Sequence, residues 1–444
     1  MDVQLIMAVL GGIALLLFLI LRLKINAFIA LLMASIAVGL LAGLDANQII
    51  ATIEKGMGNT LGFVATVVGL GAMFGAILEA SGGAKTIADF MVKKFGLKNA
   101  PAAMVISGFL IAIPVFFDVA FIILVPMVYA LQRKTGKSLL LYAIPLLAGL
   151  AITHAFIPPT PGPIAVADII GAELGWVIVV GFTVGIPTAL VSGLLFGKII
   201  SKKIHVIAPE QVTQDQHQAQ PNIGLTLSVI CVPIFLIVLN TVTKSGAFGI
   251  THPLVLDIIA LLGHPFSALL LANFLAWYFF GIRRGYTKNQ LFKITGKSLA
   301  PAGSIILLTG AGGVFKQVLT NTGAGELLAV SLSNIGFPIL LFAFISAAIV
   351  RIIQGSSTVA MITAAGLISP LLENAPLSDW KLACLVIAIA SGASIFSHVN
   401  DSGFWLVGQY CGISEKQTFR SWTMMTTLLA LTGMLSVSLL YFIA

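Results

Sequence analysis

Charge is scarce in this chain: only 9% of its 444 residues are Asp, Glu, Lys or Arg, against about 25% in an ordinary soluble domain. With 58% of residues hydrophobic, a water-soluble globule is excluded and lipid is the expected solvent. Cysteine is sparse as well. Cys231, Cys384 and Cys411 stand far apart, with no CxxC pair and no partnering His run, so neither a disulfide framework nor a zinc site is expected, and no metal or cofactor is assigned. HExxH, GxSxG and clustered Cys/His ligands are also missing, which argues against an intramembrane enzyme. No stretch reads as the soluble output domain of a membrane sensor.

What the chain has instead is apolar runs. A bilayer-crossing helix needs about 20 mostly apolar residues, and such segments recur from Leu5 to Leu21 through to Thr423 to Phe442. The first run lacks a basic leader and is followed within three residues by another, so it reads as a retained span and not as a cleaved signal peptide. The formal charge of +8 is expected to mark cytoplasmic loops rather than a nucleic-acid surface.

Spans at roughly 5 to 21, 25 to 43 and 57 to 79 leave Arg22 and Lys24 in the first loop and Asp45 and Glu54 in the second. The amino terminus then faces outward. Continuing the alternation, Lys85, Lys93, Lys94, Lys98, Arg133, Lys134, Lys137, Lys198, Lys202 and Lys203 all fall inside, and of thirteen Lys and Arg up to residue 203 only Lys55 falls outside. This requires Lys98 and Arg133 to share a face, although the 34 residues between them, 99 to 132, are too few for two full spans. They fit a re-entrant hairpin whose tip lies near Ile113 to Asp118, where Pro114 interrupts the helix. Unwound backbone at membrane depth survives only buried in protein or lining a wet cavity, so the tip is a candidate binding site.

The halves of the chain resemble each other. Gly69, Gly71, Phe74, Leu78 and Gly82 correspond to Gly310, Gly312, Phe315, Leu319 and Gly323, and Gly162 and Gly171 to Gly403 and Gly412, always 241 residues apart. The polar stretch Ser201 to Asn222 separates them. Five crossings and a hairpin per half form an odd number, so the second half starts from the opposite side. The expected fold class is therefore an all-α membrane protein with about ten transmembrane helices and two re-entrant helical hairpins in two inverted repeats. The repeats are residues 1–200 and 223–444, with a cytoplasmic linker at 201–222. Arg283, Arg284, Lys288, Lys293, Lys297, Lys416 and Arg420 then fall inside, and a second hairpin at about 337 to 372 enters from outside.

Buried polar groups concentrate in IPVFFDVAF (113–121), THAFIPPTPGPI (153–164), RIIQGSSTVAM (351–361) and FSHVNDSGFW (396–405). A charge at the bilayer centre costs about 2.5–3.5 kcal/mol on insertion scales, so it persists with a partner or a task. Arg351 and Asp401 are either a structural ion pair between repeats or, for Arg351, a receptor for a substrate carboxylate, which its planar fork matches. Asp118 or Asp401 could carry a coupled proton, and His154 and His398 suit proton relay because histidine titrates near neutrality, with a hydrogen-bonded structural role as the alternative. The breaks at Pro114, Pro158, Pro159, Gly162, Gly355 and Gly403 expose half-helix termini, where an amino end favours an anion. Thr160, Ser356, Ser357, Thr358, Asn400 and Ser402 supply neutral hydrogen bonds for a polyhydroxylated solute. Lys316 and Glu79 are expected to reach headgroups from span ends, and Asp168 and Glu173 to lie in an outer loop.

At HAFIPPTPGP (154–163), RIIQGSSTVAMITAAG (351–366) and FSHVNDSGFW (396–405) the chain resembles the gluconate permease family of proton symporters, within the wider ion-transporter superfamily of hairpin-containing carriers, and the resemblance runs essentially end to end. It implies proton-coupled uptake of gluconate or a related sugar acid across a bacterial cytoplasmic (inner) membrane by an elevator-like movement of the hairpin domain, with the bilayer, protons and a small anionic solute as partners, and a homodimer as an open assembly state. The family pattern has His at the position of Thr160, Glu near Asp118 and Pro at Ser402. These departures keep a shorter hydroxy acid such as threonate or erythronate, or D-serine, open as the substrate. A passive anion channel is the less favoured alternative.

Overall fold

The structure, a computed structural model, describes residues 2–209, 220–244, 252–323, 337–372, 377–399 and 401–443. Every regular element among the described residues is helical. The first half comprises α1 (Asp2–Leu21), α2 (Ala27–Leu41), α3 (Ala46–Ala80), α4 (Gly83–Phe95), α5 (Ala100–Ile111), α6 (Phe117–Thr135), α7 (Leu140–Phe156), α8 (Pro161–Ile170), α9 (Leu174–Thr188) and α10 (Phe196–Lys203). The second comprises α11 (Ile223–Lys244), α12 (Pro253–Gly263), α13 (Pro265–Ala276), α14 (Lys288–Asn321), α15 (Ile339–Gln354), α16 (Ser357–Leu372), α17 (Asp379–Gly392), α18 (Ser402–Cys411), α19 (Glu415–Thr418) and α20 (Met424–Ile443).

Seven helices among the described residues are long and apolar enough to cross a membrane. Large apolar side chains such as Leu10, Leu40, Phe235, Phe274, Leu435 and Phe442 point outward, as lipid-facing residues must. The all-helical expectation therefore holds. The loop expected around Asp45 and Glu54 does not, because α3 starts at Ala46 and takes in Glu54. Its start is fixed locally: the Asp45 side chain accepts from the Gln48 backbone N–H at 2.9 Å while Gln48 Oε1 accepts from the Asp45 N–H at 3.0 Å, a capping box that satisfies two otherwise orphaned donors. Thr287 and Gln290 do the same for α14.

Helices α3 and α14 make the most extensive contact among the described helices. Their backbones approach closely where Gly56 faces Gly313, and a Cβ at Gly56 would lie 2.9 Å from the Gly313 carbonyl oxygen. The hairpin α5–α6 turns at residues 112–116, and α5 lies along α7. Its counterpart α15–α16 turns at residues 355–356, with α15 along α17. Both turns fall where the interrupting Pro114 and Gly355 require them, and Gly355 adopts φ +91°, a left-handed conformation open to glycine at little cost. The long segments 140–170 and 379–411 are each broken midway, at 157–160 and 393–401. Helix α18 begins and ends 241 residues after α8.

Two sequence placements change. Lys316 does not reach outward, since its Nζ donates to the Ile169 carbonyl at 2.5 Å inside the bundle. Asp168 lies in the last turn of α8 and not in a loop, while Glu173 faces Lys244 at 3.5 Å.

Candidate functional site

A cavity of about 610 Å³ opens between the two hairpin turns and the two broken segments. Its chemistry-bearing lining includes Asp118 and His154 from the first half, with Arg351, Gln354, Ser356, Ser357, Thr358, Asp401 and Ser402 from the second. Gly355 and Gly403 contribute backbone. The volume lies within the range of about 300–1,000 Å³ usual for small-molecule sites.

The second-half wall is built first by its helix ends. Arg351 occupies the last turn of α15, and its guanidinium folds back so that Nη1 donates to the Gly355 carbonyl and Nη2 to Asp401 Oδ2 at 2.6 Å. The pair is largely withdrawn from solvent, with side chains 5% and 14% exposed. Asp401 is also the N-cap of α18, where its Oδ1 accepts from the Gly403 N–H at 3.1 Å, and it accepts from the Ser397 hydroxyl as well. Ser397 in turn accepts from Trp422 Nε1 at 2.6 Å. Trp422 lies in a π-helical turn, Phe419–Thr423, that interrupts the last span. Such turns redirect side chains and recur at functional sites. Arg351 Nε is buried and has no hydrogen-bond partner among the described residues.

Across the cavity, Asp118 sits in the first turn of α6, directly after the hairpin turn. It is exposed to the cavity and has neither an ion pair nor a hydrogen bond among the described residues. It lines the same cavity as Asp401. The Phe117 and Trp422 rings pack at a tilt of 37° with centroids 5.5 Å apart.

Several expected site residues lie elsewhere. Thr160 is buried and donates its hydroxyl to the Ile157 carbonyl at 2.6 Å. With His154, Pro114 and Pro159 it lines a separate void of about 20 Å³, room for about one water. The amino end of α8 therefore opens onto a space too small for the organic anion expected there. His154 borders both spaces, and its Nδ1 is buried without a partner among the described residues. His398 is held by a 2.8 Å contact from Nε2 to the Ile352 carbonyl and is absent from the cavity lining. Asn400 lies outside the described residues. Pro158 and Pro159, joined by a cis bond, form the first break, whereas Gly162 and Gly403 sit inside the first turns of α8 and α18.

Sequence reasoning did not single out Gln354, Ser394, Trp422 and Thr426, which also line the cavity. Gln354 stood within the RIIQGSSTVAM motif and was legible there. The others depend on folds of the backbone that no local pattern encodes.

Comparison with known proteins agrees with this architecture. The model of a family described as GntP family permease matches residues 3–443. A low-affinity gluconate transporter of Escherichia coli strain K12 is 41% identical over 445 residues, covering 99% of each chain. A gluconate permease of Pseudomonas aeruginosa is 39% identical over 446 residues, covering 99% of this chain and 98% of its own. Among solved structures, the Alcanivorax borkumensis YdaH transporter superposes with a TM-score of 0.65 at 15% identity, covering 90% of this chain and 89% of that one. That structure supports the fold alone.

Proposed function

The chain belongs to the GntP family of permeases, a multi-pass membrane transporter and not an enzyme, and from that premise we propose that it takes up gluconate or a closely related sugar acid together with a proton. The named substrates of its relatives support the solute. The carboxylate of Asp118, unpaired among the described residues and facing an already neutralised Arg351–Asp401 pair, carries the reading of proton coupling.

The charge balance is the argument. With Arg351 and Asp401 cancelling, ionised Asp118 leaves the cavity with one net negative charge, which repels a second anion. In a low-dielectric site that repulsion is far stronger than in water. A bound sugar acid therefore favours the protonated form of Asp118, and protonation favours the acid by the same factor, since coupling between two ligands is reciprocal. Arg351 can draw in the carboxylate in competition with Asp401. Ser356, Ser357, Thr358 and Ser402 offer hydroxyls to the polyol chain. His154, between cavity and void, suits proton passage.

The architecture in this reading is about ten crossings and two re-entrant hairpins in two inverted repeats, 1–200 and 223–444. The 241-residue offset of α8 and α18 supports it. Transport then proceeds by movement of the hairpin-bearing part within the cytoplasmic membrane. Uptake of labelled gluconate into proteoliposomes under an imposed pH gradient tests coupling. Concentrative uptake should appear with an acidic exterior and vanish when the gradient is collapsed, and accumulation indifferent to the gradient would rule the coupling out.

A further inference from the structure

Phe116 borders three spaces: the large cavity, the water-sized void, and a third cavity of about 330 Å³ whose polar residues belong neither to the substrate site nor to the four polar motifs. This third space lies between α3, α14 and the first hairpin turn, and its polar lining is Glu79, Lys297 and Ser298. It shares Phe116, Val119 and Pro301 with the substrate cavity. The two spaces are thus neighbours through a common wall.

The wall is fixed on one side and adjustable on the other. Behind Phe116 the hairpin turn is seated on α3, because the Pro114 carbonyl occupies the place where a side chain on Gly75 would stand. Phe116 itself is the extended residue before α6, with φ −60° and ψ 146°, and is only half-buried. Its ring can therefore change rotamer without moving the turn. Opposite, Pro301 lies inside α14 and has no N–H to give the Lys297 carbonyl four residues earlier, which leaves a backbone acceptor on the same wall.

The charges suit passage more than capture. Lys297 presents a flexible ammonium, a point charge that attracts an anion without the bidentate geometry of Arg351. Glu79 and Lys297 make no ion pair with each other among the described residues, so the carboxylate opposes what the ammonium attracts. A transit site must bind well enough to be entered and weakly enough to be left. Lys297 also belongs to the basic group with Arg283, Arg284, Lys288 and Lys293 that the topology assigns to the cytosol.

We propose that this third cavity is a transit subsite for the anionic solute between the substrate cavity and the cytosol, with the Phe116 ring as the partition. The proposal rests on the transport reading above, and names residues that reading does not use.

Two measurements test it. In the full chain carrying Ser298→Cys, a membrane-impermeant maleimide should label everted vesicles and not right-side-out ones, relative to the parent protein, and gluconate should slow the labelling several-fold. Labelling from the outer face, no labelling, or one-sided labelling that gluconate leaves unchanged would each overturn the subsite. Gluconate uptake recorded in the same vesicles reports separately on the transport reading. In the second measurement, Phe116→Leu should speed and Phe116→Trp should slow gluconate countertransport several-fold. A rate that is unchanged in either variant, or that moves in the same direction in both, would overturn the role of Phe116 as a partition.

Discussion

The Arg351 guanidinium and the Asp401 carboxylate meet at 2.6 Å, joining the last turn of a hairpin limb to the N-cap of the second half of a broken span. Each partner serves its own element as well: Arg351 closes the Gly355 turn and Asp401 caps α18. The pair therefore couples hairpin to broken helix, and any solute carboxylate approaching Arg351 competes with Asp401 for it.

Removing one member of a buried pair strands the other, at a cost of about 3–5 kcal/mol. Arg351→Gln should accordingly lower thermal stability in detergent as well as weaken gluconate binding. The double variant Arg351→Gln/Asp401→Asn should be less destabilised than the sum of the two single variants. Strict additivity in the unfolding measurements would show that the contact carries no energy.

Asp118 offers a different outcome because it has no partner among the described residues to strand. Asp118→Asn mimics the protonated carboxyl, so gluconate exchange at equal concentrations should persist while concentrative uptake driven by an acidic exterior is lost. The dependence of uptake on external pH, rising toward acid in the parent, should flatten. A variant that still accumulates gluconate against its gradient would move the proton to another group.

The hydroxyls at the second hairpin turn should each contribute modestly. A neutral hydrogen bond is worth about 0.5–1.5 kcal/mol, or roughly a 2- to 13-fold change in dissociation constant. Ser357→Ala and Thr358→Ala are each expected to weaken gluconate binding within that range. Binding by calorimetry that is unchanged in both would place the polyol chain elsewhere in the cavity.

Much of this was legible in the sequence because membrane folding is constrained by a few strong rules. The spacing of Lys98 and Arg133 demanded a hairpin, and the structure turns at 112–116. Pro158–Pro159 and the FSHVNDSGFW motif located both helix breaks. What could not be read was direction. Sequence gives Thr160 a hydroxyl beside a helix terminus, but only the fold turns it toward Ile157 and away from the cavity. Trp422 and Thr426 carry no motif at all, and a π-helical turn brings the tryptophan to Ser397. The start of α3 was missed because an apolar-run criterion ignores a polar first turn secured by Asp45 and Gln48.

Close helix contact gives a prediction about folding rather than transport. Gly149 on α7 lies against the Val105 carbonyl on α5, and a Cβ there would overlap it, whereas Gly58 on α3 has open space around its would-be side chain. Overpacking of this kind costs about 1–3 kcal/mol. Gly149→Ala should therefore lower the detergent unfolding temperature, and Gly58→Ala should leave it nearly unchanged. Equal behaviour of the two would mean that α5 and α7 are not held at this distance.

Thr160 is, with Asp118 and Ser402, one of three positions at which the resemblance implies a departure from the family pattern, which makes it an obvious suspect for substrate choice. Its position argues otherwise. The side chain is buried, its hydroxyl is committed to the Ile157 carbonyl at 2.6 Å, and the space beside it holds about one water. A group there can act on the solute only through the shape of the break that α8 grows from. Thr160→Val keeps the volume and removes the hydroxyl, so it should cost about 1 kcal/mol of stability and leave the order of preference among gluconate, threonate, erythronate and D-serine as in the parent. Ser402→Ala, by contrast, alters a residue on the cavity itself and should change that order. Competition of each compound against labelled gluconate separates the two cases: a reordered preference in Thr160→Val, with Ser402→Ala unaffected, would put specificity at the first break and not at the cavity.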